Sequence, residues 1–412
     1  MSLVKAFRGL RPAPGYTADV AAPPYDVMSA DEARTMVEGK PWSFLHVSRA
    51  EVDLPPGTDP YAADVYAKAA ENLQRMKAEE VLVQDALPSF YVYRLTMGSH
   101  RQTGLVAAAS VEAYDQGRIK KHEFTRPMKE DDRVRQIDVL NAQTGPVFLV
   151  YPSEAEVDRI LADATSAAPA MDVTAEDEVR HEVWVVDDAE RVARLTTLFD
   201  AMPALYVADG HHRSAAASRV TADRKAANPD HNGEEAYNYF LSVIFPHNQM
   251  QILDYNRVIR DLNGHERSAF VEAVGERFEL TASDQPVKPT GPGEFGMYLT
   301  DQWYRLCIDP QKIPTDDPVA SLDISLLTAE LIDPILGISD PRRDNRIDFI
   351  GGIRGLEGLA KRVDSGEMAV AFSLYPTSME ALMAVADDDE VMPPKSTWFE
   401  PKLADGLVSH EL

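Results

Sequence analysis

Pro203-Ala-Leu-Tyr-Val-Ala-Asp-Gly-His-His-Arg-Ser-Ala-Ala-Ala-Ser-Arg219 is the stretch that decides how the chain folds. Tyr206, Val207 and Ala208 make a short apolar run of the kind that becomes a buried strand. Asp209-Gly210 is a turn dipeptide, and Ser214 to Ala227 is rich in strong helix formers. A strand that turns through glycine into a helix leaves the first backbone N–H groups without intrahelical acceptors. The helix dipole adds partial positive charge at the same point. Such a turn is an anion site, and here it also carries His211, His212 and Arg213.

On the N-terminal side of this turn the pattern mixes hairpins with helices. Val4 to Phe7 reads as a strand, and Pro23-Pro-Tyr-Asp26 as a rigid turn. Ser29-Ala-Asp-Glu32 has capping-box spacing and opens a helix that Gly39 closes. Ser43 to Ser48 reads as a strand, and Asp64 to Glu80 as a helix through the spacing of Val65, Ala69, Leu73 and Met76. Phe90–Thr96 and Thr103–Tyr114 pair as a hairpin around Met97-Gly98-Ser99. Lys129 to Ala142 reads as a helix and Pro146 to Tyr151 as a strand. Between them and the turn, helix Glu154–Thr165, strand His181–Val186 and helix Ala189–Phe199 form a βα-type insert.

Beyond the turn, Tyr239 to Phe245 is a buried apolar element. Helix Glu266–Arg277 and the hairpin of Gly296–Thr300 with Trp303–Ile308 make a small subdomain. Helix Leu322–Leu331, strand Arg346–Phe349, helix Gly355–Val363, strand Met368–Leu374 and helix Ser378–Ala386 follow. The fold class is therefore α+β, in four parts. Residues 1–150 carry a Lys-His-Glu motif, 151–250 the Asp-Gly-His-His-Arg turn, 251–310 the small subdomain, and 311–412 a C-terminal α/β part with a basic tail.

The 412 residues carry 67 acidic and 41 basic side chains, a net charge of −26. That field repels nucleic acid and anionic membranes, so neither is expected as a partner. Cys307 is the one cysteine, which excludes an intramolecular disulfide, and its place in Trp303-Tyr-Arg-Leu-Cys-Ile308 reads as a packed strand residue. No apolar run approaches the length of a membrane span. A cytoplasmic protein is expected.

Three constellations oppose the acidic trend. Asp209 to Ser214 is the first. Gly210 permits the tight turn, Arg213 offers a planar fork to phosphate oxygens, the histidines can donate to phosphoryl oxygens, and Asp209 could orient a histidine or hold Mg²⁺. Helix capping by Asp209 alone would not ask for two histidines and an arginine. Adjacent helical residues point about 100° apart, so His211 and His212 do not chelate one ion, and no metal ligand set is expected. The second is Lys121-His-Glu-Phe-Thr-Arg126 with Lys129 and Arg133, where basic neighbours keep Glu123 ionised and partial burial tunes it toward a general base. The third is Pro393-Pro-Lys-Ser-Thr-Trp-Phe-Glu-Pro-Lys402, in which Lys395, Ser396 and Thr397 offer a charge and hydroxyls. Walker A spacing is absent.

These three motifs, nearly end to end, resemble the family of domain of unknown function 1015. More distantly, the strand, turn and helix around Asp209-Gly-His-His-Arg213 are similar to the nucleotide-phosphate turn of the ParB/sulfiredoxin superfamily, which includes free-serine kinases. The resemblance implies a ParB/sulfiredoxin-like phosphate-binding core elaborated with inserted subdomains. It implies Glu123 as base, with His211, His212 and Arg213 as catalytic residues and Asp209 to Ser214 holding ATP or ADP, with Mg²⁺ on the nucleotide. Lys121, His122, Lys129, Arg133, Lys395, Ser396 and Thr397 are the candidate substrate residues. The expected activity is phosphoryl transfer to the hydroxyl of a small metabolite such as free serine. The alternatives are a non-catalytic nucleotide sensor and a hydrolase of a phosphorylated substrate. Assembly as a homodimer is left open.

Overall fold

Val147-Phe-Leu-Val-Tyr151 has no charged residue, and all five of its side chains are buried. A strand covered on both faces requires that pattern. The computed structural model describes residues 2–412 and divides the chain into two compact units, one comprising Met1–Met250 with Pro401–Leu412 and the other Gln251–Glu400.

The first unit is built on a nine-stranded mixed sheet. In chain order its strands are β1 (Val4–Lys5), β2 (Phe90–Met97), β3 (His100–Ser110), β4 (Ile119–Lys120), β5 (Val147–Tyr151), β6 (Met171–Thr174), β7 (Arg180–Val186), β8 (Leu205–Asp209) and β9 (Tyr239–Pro246). They lie in the order β4-β8-β5-β9-β3-β2-β7-β6, with β1 added to β3. The pairs β4–β8 and β5–β9 are parallel and the others antiparallel. Alternate residues Val147, Leu149 and Tyr151 join one core with Val157, Leu161, Leu195 and Phe199 from helices α3 (Ala155–Ala164) and α4 (Ala189–Asp200). Helices α2 (Pro127–Leu140) and α5 (His211–Ala227) pack together through Ile137, Ala216 and Val220. Helix α1 (Ala63–Ala78) covers a separate cluster with its Val65, Ala69, Leu73 and Met76 stripe.

The fold is α+β. The strand, turn and helix read from Pro203–Arg219 are all present, but α5 starts three residues earlier than Ser214, and Gly210 rather than Asp209 is its N-cap. Three other readings change. Ser43 to Ser48 is not a strand; Leu45–Ser48 is a helical turn, and the whole run is buried. An apolar run this short carries no period that separates helix from strand. The hairpin strand stops at Ser110, whose hydroxyl accepts from the Ala113 amide and caps a helix at Val111–Asp115. Sequence position gives no warning of that cap. The βα insert does not stand apart, because β7 pairs with β2 from Val186↔Phe90 to Arg180↔Thr96 and extends the main sheet.

The second unit carries an antiparallel six-stranded sheet of β10 (Tyr255–Ile259), β11 (Glu279–Ser283), β12 (Glu294–Leu299), β13 (Gln302–Cys307), β14 (Ile347–Gly351) and β15 (Val370–Ser373), ordered β11-β13-β12-β15-β10-β14. Helix α6 (Gly355–Asp364) packs Leu359 and Val363 against Val258, Tyr298 and Ala371. The helix expected at Leu322–Leu331 runs as Asp323–Leu327 and continues as a wider turn over Thr328–Ile332. Cys307 ends β13 and is half-buried rather than packed in the core. Among the described residues, no helix is long and apolar enough to cross a membrane.

Candidate functional site

Strand β8 delivers the chain to the turn with a register shift against β5 between Val207 and Asp209. Gly210 then adopts φ +98, and α5 begins at His211. A β-carbon at Gly210 would lie 3.1 Å from Arg213 Nε, so glycine answers both the backbone angle and the space. The first intrahelical bond here runs from the Ser214 amide to the Gly210 carbonyl at 3.0 Å. The amides of His211, His212 and Arg213 therefore have no acceptor within the helix.

Asp209 sits under this turn with Lys402 Nζ 3.2 Å from Oδ2 and Arg213 Nη2 3.9 Å from Oδ1. Burial alone would raise its carboxyl, but Lys402 and then Arg213 outweigh burial and hold it well below the usual carboxylate range. Asp209 is thus a fixed negative charge, already engaged by two cations.

Strand β4 runs parallel to β8 and brings the Lys-His-Glu motif to the turn. His122 and His211 are 89 positions apart in the chain, yet their rings meet edge to face at 4.5 Å between centroids. The His122 amide donates to His211 Nε2 at 3.5 Å, and His211 Nδ1 lies 3.8 Å from Glu123 Oε2. Both rings are buried, at 2% and 4% exposure, whereas the Glu123 side chain is half-exposed. Burial lowers His122 to about 4 against the opposing effect of its bond to the Val207 carbonyl. Burial, reinforced by His122, drives His211 well below the ordinary histidine value. Both are neutral at pH 7. His122 Nδ1 is buried with no hydrogen-bond partner. His212 is also lowered, chiefly by burial, and its Nε2 accepts from the Arg126 amide at 3.0 Å. That bond leaves Nδ1–H as its donor.

The basic residues of the second motif are ordered by aromatic rings. Lys121 Nζ lies 4.4 Å from the centre of the Tyr114 ring. Lys129 donates to the Tyr61 hydroxyl at 2.9 Å. Arg133 pairs with Asp132 at 2.7 Å and stacks over Tyr25 at 3.9 Å. Arg213 donates to the Pro146 carbonyl. A polar cavity of about 30 Å³ lies behind the turn, walled by Tyr25, Ser48, Arg133, Thr144, Arg213 and Asp405 among others. That volume suits a single water. Burial raises Asp405 to about 7 even though Arg213 opposes the shift.

The structure thus gathers His122, Glu123, Asp209, Gly210, His211, His212, Arg213 and Ser214 at one turn. Lys395, Ser396 and Thr397 belong to the second unit. There the Lys395 carbonyl accepts from Arg257 at 2.9 Å, and Lys395 Nζ lies 5.6 Å from the Tyr255 ring centre. The Ser396 hydroxyl donates to the Pro393 carbonyl at 2.7 Å. Tyr25 and Lys402 lay in quoted stretches without being given a role, and Asp405 was not singled out from sequence. The Pro23-Pro-Tyr-Asp26 turn was the available signal for Tyr25. Nothing local to Lys402 or Asp405 points to a turn some 200 positions upstream.

As for metal ligands, the set that comes together is other than His211 with His212. His122, Glu123 and His211 each offer a ligand atom, all within 4.8 Å of one another.

Among solved structures, the chain is similar to a conserved hypothetical protein from Pyrococcus furiosus at 13% identity and a TM-score of 0.33, covering 73% of this chain and 94% of that one. It is similar to a free serine kinase in complex with AMP at 12% identity and a TM-score of 0.33, covering 73% and 92%. It is also similar to C-terminally truncated SbnI from Staphylococcus aureus at 12% identity and a TM-score of 0.36, covering 72% and 84%. No curated protein matches the chain. The model of one family matches residues 4–325, most of the sequence, and the chain belongs to that family, described as protein of unknown function (DUF1015).

Proposed function

We propose that the protein is a nucleotide-dependent phosphotransferase that moves a phosphoryl group from ATP or ADP, with Mg²⁺ on the nucleotide, to the hydroxyl of a small metabolite. A free amino acid such as serine is the first acceptor to test. The observation that carries this reading is the approach of Glu123 to His211 at the start of α5, with 3.8 Å between Oε2 and Nδ1. A carboxylate beside an anion-binding turn is the arrangement phosphoryl transfer uses, since that chemistry rests on positioning and charge neutralisation.

In this reading the amides of His211 to Arg213 and the His212 Nδ1–H hold phosphoryl oxygens. His211 stays neutral, so it donates or accepts without adding a charge. Lys121 and Lys129 offset the charge of the transferred phosphoryl group, and Arg133 shares α2 with Lys129. Glu123 accepts the proton of the acceptor hydroxyl as the new O–P bond forms and the bond to the nucleotide's leaving phosphate breaks. Glu123→Gln tests the assignment. Turnover should fall by about 10²–10⁴-fold while nucleotide affinity holds to within a few fold. Unchanged turnover would remove Glu123 from the mechanism.

A further inference from the structure

We infer that His122, Glu123 and His211 form a binding site for a divalent transition-metal ion, of the Zn²⁺, Mn²⁺ or Co²⁺ class. The inference goes beyond the nucleotide reading and does not depend on it.

Two imidazoles and one carboxylate are the donor set of many metal sites that keep coordination positions open. Here the three ligand atoms already lie within 4.8 Å of one another. Ligands on one tetrahedral ion at ~2.1 Å stand about 3.4 Å apart. His211 Nδ1 and Glu123 Oε2, at 3.8 Å, are close to that spacing. The Glu123 side chain is half-exposed, unlike the two buried rings.

An independent observation comes from His122. Its ring is 2% exposed and Nδ1 has no hydrogen-bond partner. A buried imidazole nitrogen left without a partner is one that an ion can take up as a ligand. Burying an acceptor without a donor is costly, and a cation removes the cost.

The surroundings set the class of ion. Two nitrogen donors favour borderline transition metals over Mg²⁺, which takes oxygen ligands. Lys121 and the start of α5 are positive, and they oppose a cation. Asp209 opposes them from beneath His211, and Lys121 is drawn over Tyr114. Either nitrogen of His211 can serve only if the long 3.5 Å contact from the His122 amide is given up. The half-exposed side of Glu123 faces solvent, from which water or a phosphoryl oxygen can complete the coordination of the ion.

The test uses the full chain, stripped with a chelator and titrated with Zn²⁺, Mn²⁺ or Co²⁺ in the absence of nucleotide, by calorimetry and by the visible absorption of Co²⁺. One ion should bind with a Kd of about 1 µM or tighter for at least one metal. His122→Asn and Glu123→Gln should each weaken binding by at least about 100-fold, with unchanged circular dichroism and melting midpoint showing that the fold is intact. His247→Ala, outside the cluster, should bind as the parent does. Absence of a stoichiometric ion, or equal affinity in parent and Glu123→Gln, would overturn the inference. Either result would leave the nucleotide assays untouched, since those use Mg²⁺ and read phosphoryl transfer.

Discussion

At Gly210, one missing side chain serves the backbone and its neighbour together. The residue sits at φ +98, and a β-carbon would come within 3.1–3.2 Å of the Arg213 guanidinium. Gly210→Ala should therefore carry about 1–3 kcal/mol of backbone strain and also push Arg213 from its place. A lower melting midpoint together with nucleotide affinity weakened by about tenfold or more is expected from thermal denaturation and calorimetry. An alanine variant with parental affinity would separate the turn from nucleotide binding. The need for glycine here was legible from the Asp209-Gly210 dipeptide. The orphaned His122 Nδ1 was not, because a residue's unmet hydrogen bonds depend on what packs around it.

At the level of elements, β8, the turn and α5 were readable because a short apolar run, a turn dipeptide and a long helix-forming run follow one another with little ambiguity. The parallel pairing of β4 with β8 was not readable, although it is what joins Lys-His-Glu to the turn. Two-residue strands carry no period. The strand read at Ser43 to Ser48, which is a helical turn over Leu45–Ser48, failed for the same reason. The return of the C-terminal segment was also invisible, and it supplies Lys402 to Asp209 at 3.2 Å. Lys402→Met should destabilise the first unit by about 1–2 kcal/mol at pH 7, since it leaves Asp209 with Arg213 alone, at 3.9 Å. Denaturant melts would check this, and a change under about 0.3 kcal/mol would show that the contact is solvent-screened.

For the whole molecule, the buried histidines set the dependence of stability on pH. Burial is the leading cause that lowers His122, His181 and His410, each to about 4. Their folded values lie below the unfolded value of about 6.5, so the unfolded chain binds more protons between pH 6.5 and pH 4. Stability is present above pH 6.5 and is lost as pH falls through that window. Asp405 is raised to about 7 and acts the other way, favouring the folded state as it protonates. Asp323, raised to about 6 by burial, acts with Asp405, while His211 and His212 are lowered as well, so five imidazoles stand against two carboxyls and the melting midpoint should fall from pH 6.5 to pH 4. A midpoint that stays level across that window would show that these rings are solvated. The net charge of −26 was legible at once and argues against nucleic acid as a partner.

The central claim, phosphoryl transfer at the Glu123–His211 turn, is tested most directly by phosphorus NMR. The full chain would be incubated with ATP or ADP, Mg²⁺ and a panel of hydroxylated amino acids and hydroxy acids. A new phosphomonoester resonance is predicted with at least one acceptor, and it should be absent when Glu123→Gln replaces the parent under the same conditions. Consumption of no nucleotide with any acceptor, or the same phosphomonoester formed at an undiminished rate by Glu123→Gln, would contradict the account.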